Sequence, residues 1–153
     1  MMSVRQAQVG EAETLTALCV RLKAHWGYDD SFMRLSQASL TVSDADIASG
    51  RTLVAADDDR IVGVARVEPD GDLGMMVVDP PAMGRGAGGA LFAAAIAVVR
   101  RLGARSMPIL ADPNAAPFYE RMGARFVSHA PSDAIPGRTL PLYEYDLTHE
   151  EMP

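Results

Sequence analysis

Four glycines within six residues are the feature of this sequence that points most clearly to chemistry. Gly84 to Gly89, with the sequence GRGAGG, lies between a predicted strand and a predicted helix. Glycine has no β-carbon, so a phosphate can approach the main chain of such a turn closely. The helix start adds unpaired N–H groups and a favourable dipole, and Arg85 adds a planar cation. We therefore expect a phosphate or pyrophosphate site here; the alternative is a turn that serves only close packing of helix on sheet.

Two familiar kinds of phosphate-binding loop fit this segment poorly. The pattern Gly84-x-Gly86-x-x-Gly89 matches the dinucleotide fingerprint, which normally follows its strand directly near the start of a domain. Here residues 79–83 separate the glycines from the strand, and about 70 residues precede that strand. The P-loop needs Gly-Lys-Ser/Thr, where this sequence has Gly89-Ala90-Leu91. The spacing disfavours a dinucleotide site and excludes a P-loop.

A third pattern accounts for the loop and for a second segment. Val77 to Leu91, VVDPPAMGRGAGGAL, resembles the acyl-CoA-binding motif of the GNAT superfamily of N-acyltransferases, in which a strand ending in Val-x-Pro leads to Gln/Arg-x-x-Gly-x-Gly/Ala and then a helix. Asp112 to Gly123, DPNAAPFYERMG, is similar to the family's Asn-x-x-Ala…Phe-Tyr-Glu-x-x-Gly segment. The resemblance covers about Thr52 to Phe126 by motif and the ends by element order. Segments 22–29 and 135–141 are similar to stretches of a subset with unassigned substrate.

The resemblance implies acetyl-CoA as cosubstrate and assigns residues to it. The main chain of Val77 and Val78 would pair with the pantetheine arm, and Asn114 and Phe118 would line the CoA channel. The pyrophosphate would be held by the loop, that is by Met83, Gly84, Arg85, Gly86, Ala87, Gly88 and Gly89. Met83 stands where the family has Gln or Arg, so one polar phosphate contact is expected to be missing or moved to Arg85. Depending on register, Asp112 occupies the family's Asn position.

Proton transfer at the reacting atoms needs an acid and a base. By the resemblance, Tyr119 would protonate the departing thiolate; the alternative is a core aromatic beside Phe118. A lysine-like amine has a pKa near 10.4, so roughly one molecule in a few thousand is neutral at pH 7, and some group must accept its proton. Relatives often carry a Glu on the strand before the glycine loop, but residues 73–76 here are LGMM. Glu68, Asp72, His25 or an ordered water remain, and Glu68 is taken as the candidate base, although it also fits a solvated strand-end carboxylate.

The elements that must position these residues follow from hydrophobic periodicity and turn signals. Strands are predicted at 3–7, 52–56, 61–67, 73–78, 106–111, 125–129 and 139–147, and helices at 11–26, 31–37, 43–50, 86–102 and 114–122. Antiparallel hairpins thus flank one strand–helix–strand crossover. This order predicts a mixed α/β fold with helices on both faces of a sheet. The resemblance makes it the three-layer GNAT fold, whose central sheet has six to seven mostly antiparallel strands.

Composition restricts the partners. The chain has 153 residues, enough for one domain over 1–153, and a formal net charge of −6, which opposes binding to nucleic acid or an anionic membrane. The longest near-apolar run, 87–99, is too short to span a bilayer. The single cysteine, Cys19, fits a reducing, cytoplasmic location and is expected to be buried and inert. The aspartates at 57–59 fit a solvated turn, so we expect no metal.

The sequence therefore predicts an N-acetyltransferase that moves an acetyl group from acetyl-CoA to a primary amine by direct attack in a ternary complex. A small-molecule amine is favoured over a protein or peptide amine. Family acceptor sites use the first helices and the last hairpin, here 23–33 and 128–142. Dimers are common among relatives, so a homodimer is one expected assembly. The alternative is a non-catalytic acyl-CoA-binding module, which the missing strand Glu and Met83 favour and Tyr119 disfavours.

Overall fold

The computed structural model describes residues 2–82 and 84–148. In chain order its elements are β1 (Met2–Gln6), α1 (Ala12–His25), α2 (Asp30–Leu40), α3 (Asp44–Ala48), β2 (Thr52–Asp57), β3 (Arg60–Val67), β4 (Leu73–Val78), a 3₁₀ turn (Pro80–Ala82), α4 (Ala87–Arg101), β5 (Ser106–Leu110), α5 (Ala116–Arg121), β6 (Arg125–Pro131) and β7 (Thr139–Asp146). Each predicted strand and helix is present, so the predicted order of elements is confirmed.

The bounds differ from the prediction at several elements, and aspartate side chains that accept main-chain hydrogen bonds explain where two of the helices begin. α2 begins at Asp30 because the Asp29 carboxylate accepts a hydrogen bond from the Phe32 N–H at 2.8 Å. α5 begins later than predicted because the Asp112 carboxylate accepts from the Asn114 N–H at 2.8 Å, which holds 112–115 in a turn. α3 has the predicted capping box between Ser43 and Asp46.

The strands form two antiparallel sheets. One has the order β1-β2-β3-β4 and the other the order β5-β7-β6. β4 and β5 contact each other, but no ladder joins them in the described part of the chain. The mixed sheet of the prediction is therefore divided at its strand–helix–strand crossover. The main-chain groups of β4 that face β5 have no strand partner there.

Helices cover the first sheet on both faces and create two cores. On one face α4 packs against β2 and β3 through Leu91, which is fully buried. Gly63 of β3 permits this close approach, since a β-carbon there would lie 2.9 Å from the Leu91 Cδ1. On the other face α1 packs through Leu15 and Cys19 against Met75 of β4. This arrangement confirms the three-layer prediction. No helix in 2–82 or 84–148 is long and apolar enough to cross a membrane.

Candidate active site

The glycine loop leads from the end of β4 into α4. Gly84 and Gly86 have φ values of 82° and 92°, which only glycine adopts without strain. Gly86 is the N-terminal cap of α4, so the N–H groups of the residues that follow it have no partner inside the helix. Ala87, which the sequence analysis also placed at the pyrophosphate, is fully buried and does not line the cavity. The predicted anion site is therefore a backbone site at a helix start.

The individual glycines separate the ligand explanation from the packing explanation. A β-carbon on Gly88 would lie 3.0 Å from the Phe118 ring, so this glycine serves close packing of α4 on α5. Gly84 and Gly86 are required by their backbone conformation. Gly89 has neither constraint: its φ is not positive, and nothing lies within 4 Å of a β-carbon built on it. Gly89 therefore leaves open space beside the helix start that the fold itself does not require.

The predicted pyrophosphate contacts of Arg85 and Met83 are not seen in the described cavity lining. The Arg85 guanidinium is 59% exposed and pairs with the Asp57 carboxylate at 2.8 Å, and Arg85 is not among the cavity-lining residues described below. An exposed ion pair of this kind contributes about 0–1 kcal/mol, so it does not prevent Arg85 from turning to another anion. Met83 lies outside the described residues.

A buried carboxylate that was not predicted from the sequence lies at the start of this loop. The Asp79 side chain is 4% exposed and accepts a hydrogen bond from Arg21 of α1 at 2.7 Å and from Arg60 at 3.4 Å. Its main chain also pairs with Val62 of β3 and Ala82 of the 3₁₀ turn. Asp79 thus connects the start of the glycine loop to α1 and β3 by hydrogen bonds.

A cavity of about 1110 Å³ runs from the glycine loop along the gap between β4 and β5. Most of the predicted site residues line it. These are Val77, Val78, Gly84, Gly86, Gly88, Gly89, Asn114, Phe118, Tyr119 and Glu68. The structure therefore brings together the two motifs and the candidate base in one cavity. His25, in contrast, is exposed, packs against the Trp26 ring and does not line the cavity.

Tyr119 lies in the cavity wall and is 5% exposed. Its ring packs against Phe118 and Phe92, with centroid distances of 5.3 and 6.2 Å. No hydrogen bond to its hydroxyl is found within residues 2–82 and 84–148. Burial, and to a smaller extent the charge of Asp112, raises the pKa of Tyr119 well above its usual range. The hydroxyl is therefore protonated at neutral pH and can donate a proton.

The Glu68 carboxylate packs over Gly74, where β4 has no side chain. A β-carbon built on Gly74 would collide with the Glu68 carboxylate, so this carboxylate fills the space that a β4 side chain would otherwise occupy. Arg66 holds it with a 2.8 Å hydrogen bond from its Nε to Oε2. A glycine inside a strand marks a close approach by another group. Gly74 is thus a sequence signal that another group packs closely on β4, and the structure identifies that group as the Glu68 carboxylate.

Asp72 and Asp133 add two carboxylates to the same cavity. Burial raises the pKa of Asp72, and the charges of Asp70, Glu68 and Asp133 raise it further. Asp72 and Asp133 both line the cavity. This part of the cavity is therefore acidic and suits an ammonium group. Within the described residues, no group of three or more His, Cys, Asp or Glu side chains has the arrangement of a metal site.

A polar cluster, here called the Tyr28 cluster, lies at the cavity wall; it consists of Lys23, Tyr28, Asp112, Asn114 and Arg138. All of these residues except Tyr28 line the cavity. The Tyr28 hydroxyl donates to Asp112 at 2.9 Å and accepts from Asn114 at 3.2 Å and from Arg138 at 3.1 Å. Lys23 donates to Asp112 at 2.6 Å. Burial opposes ionisation of Asp112, but these hydrogen bonds outweigh it and lower the pKa of Asp112. This cluster was not predicted, because Lys23, Tyr28 and Arg138 are far in the chain from Asp112 or from one another.

Comparisons with known proteins agree with this geometry. The model of the acetyltransferase (GNAT) domain family matches residues 32–133. The chain is similar to the solved structure of the GCN5-related N-acetyltransferase "aminotransferase, class-II" from Rhodopseudomonas palustris, with 25% identity, a TM-score of 0.77 and 95% of each chain covered. It is similar to PaiA N-acetyltransferase from Thermoplasma acidophilum in complex with coenzyme A, with 12% identity, a TM-score of 0.77 and 95% and 99% covered.

A third similar structure is YncA from Salmonella typhimurium with its cofactor acetyl-CoA, with 20% identity, a TM-score of 0.69 and 100% of this chain and 98% of that chain covered. A search of curated proteins found no match.

Proposed function

The chain belongs to the GNAT acetyltransferase family, and from this premise we propose that it is an N-acetyltransferase that transfers the acetyl group of acetyl-CoA to a primary amine of a small molecule. One observation carries the proposal. A single cavity connects the open helix start at Gly89, the unpaired edge of β4 and the hydroxyl of Tyr119. A pyrophosphate, an amide-bearing arm and a thioester need these three environments in this order.

The residues present fit acetyl-CoA as cosubstrate. Loop N–H groups and the dipole of α4 would hold the pyrophosphate, with Arg85 as an exchangeable cation. Main-chain groups of Val77 and Val78 that face the gap would pair with the pantetheine amides, because no strand occupies that edge in the described part of β4. Phe118 and Asn114 line the same channel. YncA and PaiA are similar folds whose structures contain acetyl-CoA and coenzyme A respectively, which supports this assignment.

The proposed reaction is direct attack. The neutral amine nitrogen forms a bond to the thioester carbonyl carbon, and the carbon–sulfur bond breaks. Tyr119 gives its proton to the departing thiolate and later regains one from the nitrogen or solvent. The ammonium form of the amine first loses a proton to Glu68, directly or through water, so that one proton is released for each ammonium acetylated. Arg66 holds Glu68 in position.

We extend the proposal to a cytoplasmic enzyme that acts as a single domain and needs no metal. Cys19 is fully buried, and burial raises the pKa of its thiol to about 12, so it does not act as a nucleophile. The net charge of −6 disfavours nucleic acid and membrane partners. A homodimer stays a prediction, which light scattering tests.

Two measurements test the proposed function. In a thermal-shift assay, CoA and acetyl-CoA should raise the melting temperature and NAD should not; a shift with NAD alone would overturn the assignment of the loop. In a free-thiol release assay with a panel of amines, at least one amine should be turned over. Binding of acetyl-CoA without turnover of any amine would instead support a non-catalytic acyl-CoA-binding module.

A further inference from the structure

Arg138 is a half-buried cation of the cavity that has no carboxylate partner within the described residues. Its Nη2 donates a hydrogen bond to the Tyr28 hydroxyl at 3.1 Å. Within residues 2–82 and 84–148, the guanidinium makes no other hydrogen bond. A guanidinium has five N–H donors, so most of its capacity is unused. Arg66 and Lys23, the other half-buried cations of the cavity, are paired with Glu68 at 2.8 Å and with Asp112 at 2.6 Å. Arg138 is thus available to an anion.

The position of Arg138 is set by two aromatic rings. Tyr28 and Phe32 stack with a centroid distance of 3.9 Å and an angle of 8° between their planes. The Arg138 Cζ lies 4.9 Å from the Phe32 centroid and 5.3 Å from that of Tyr28. These distances place the guanidinium beside the stacked pair, near both ring edges, and the Tyr28 hydroxyl holds it there by a hydrogen bond. The two parallel N–H groups of a guanidinium match a carboxylate. The Arg138 guanidinium is therefore positioned by contacts within the protein.

The connection between β6 and β7 carries both signs of charge into the same cavity. Asp133, five residues before Arg138, lies near enough to Asp72 to influence its ionisation. Arg138, at the other end of this connection, reaches Tyr28 and Phe32. The acceptor side of the cavity therefore has a carboxylate region that includes Glu68 and Asp72, and a separate region with an unpaired arginine.

We propose that the acceptor is a small amine that also carries a carboxylate, such as an amino acid or a short peptide, and that Arg138 binds this carboxylate while the amine faces Glu68 and Asp72. The inference rests on the proposed function, because it names the substrate class of the same cavity. An amine without an anionic group would leave the Arg138 guanidinium without a counter-ion once the substrates exclude water. The phosphates of acetyl-CoA are a second source of an anion, and the test separates the two.

The test compares the amino acids with their primary carboxamides, which keep the amine and remove the negative charge. Thiol release is measured at saturating acetyl-CoA for wild type and for Arg138→Gln. We expect the best amino acid to have a kcat/KM at least about 10-fold above that of its amide. Arg138→Gln should lower kcat/KM for the acid by about 10- to 100-fold and for the amide by less than about 3-fold, as expected for loss of a charged hydrogen-bonded pair. Arg125→Gln, which alters an exposed arginine outside the cavity, is the matched control.

Calorimetry makes the inference independent of turnover. The acid and the amide are titrated into the CoA complex of both proteins, and acetyl-CoA is titrated into each free protein. The inference is overturned if the amide binds as tightly as the acid, if neither binds, or if Arg138→Gln weakens acetyl-CoA as much as the acid. If acetyl-CoA binds but no amine releases thiol, the proposed function fails, and the calorimetric comparison alone decides the inference.

Discussion

The proposed donor and acceptor sides of the cavity are built from different parts of the protein. The proposed donor side uses the main chain: glycine conformations at 84 and 86, the helix start at Ala87, and an edge of β4 that has no strand partner in 2–82 and 84–148. The acceptor side uses side chains from distant segments, such as Tyr28 after α1 and Arg138 before β7. Main-chain sites recognise what all acyl-CoA substrates share, whereas side-chain sites can change without altering the fold. We therefore infer that the donor side defines the chemistry and the acceptor side defines the substrate.

The largest expected effect is a loss of acetyl-CoA affinity that leaves the fold intact. Gly89→Val should weaken acetyl-CoA binding by about 100-fold or more, because the new side chain fills the open space beside the helix start. Stability should be unchanged or slightly higher, since glycine is a poor residue inside a helix. Isothermal titration and thermal melting measure both quantities. Ala97→Val, an exposed position on the same helix, is the control. Unchanged affinity in Gly89→Val would show that the loop does not hold the donor.

The next effect is a loss of turnover without a loss of acetyl-CoA affinity, and it concerns Tyr119. Tyr119→Phe should lower kcat by about 10²-fold, the lower range for a positioned acid, while acetyl-CoA affinity stays within about 3-fold. Because the hydroxyl has no protein hydrogen bond in the described residues, the variant should lose little stability. Because burial raises the pKa of Tyr119, no loss of activity from its ionisation is expected up to about pH 10.

Tyr145→Phe is the matched control, since its ring packs on Phe92 at 5.4 Å and does not line the cavity. Steady-state kinetics from pH 6 to 10 test the prediction. Equal turnover by Tyr119→Phe and wild type would return Tyr119 to a packing role.

A third prediction tests the acceptor side through Glu68. Glu68→Gln should lower kcat/KM for the amine by about 10- to 50-fold at pH 7, below the full contribution of a base because water can replace it in part. Acetyl-CoA affinity should not change.

In the double variant Glu68→Ala/Gly74→Glu, the new side chain enters the space that the Glu68 carboxylate vacates, and activity should partly return. Glu68→Gln activity equal to wild type, or no recovery in the double variant, would place the base elsewhere, with Asp72 as the next candidate.

The contrast between the two sides also explains what the sequence could predict. The fold was predictable because each element has local signals, such as the capping box at Ser43 and the glycine that ends α4. The proposed donor residues could be named from the sequence because a main-chain site needs a short, continuous motif. The position of Glu68 over Gly74 depends on how β3 and β4 pair, and the Tyr28 cluster depends on contacts across 84 to 110 residues of sequence separation. Gly74 signals that some group approaches β4 closely but does not say which one, and no local pattern encodes the contacts of the Tyr28 cluster.

The smallest expected effect concerns Asp112, where the two sides meet. The lowered pKa of Asp112 means that its ionised form stabilises the folded state, with the effect present above the unfolded pKa of about 3.8 and lost as the pH falls through the folded value. Asp112→Asn should therefore reduce the free energy of unfolding by about 1 kcal/mol at pH 7, since the amide keeps one acceptor for Tyr28 but loses the ion pair with Lys23.

The difference from wild type should shrink below about pH 4, as the wild-type carboxylate takes up a proton. Urea unfolding between pH 3 and 7 measures it, with Asp59→Asn, an exposed aspartate of the β2–β3 turn, as the control. A constant difference over this range would mean that Asp112 acts through shape and not through charge. Its coupling of acceptor-side residues to the donor motif would then be a matter of packing, and the division between the two sides of the cavity would be less sharp than the hydrogen bonds indicate.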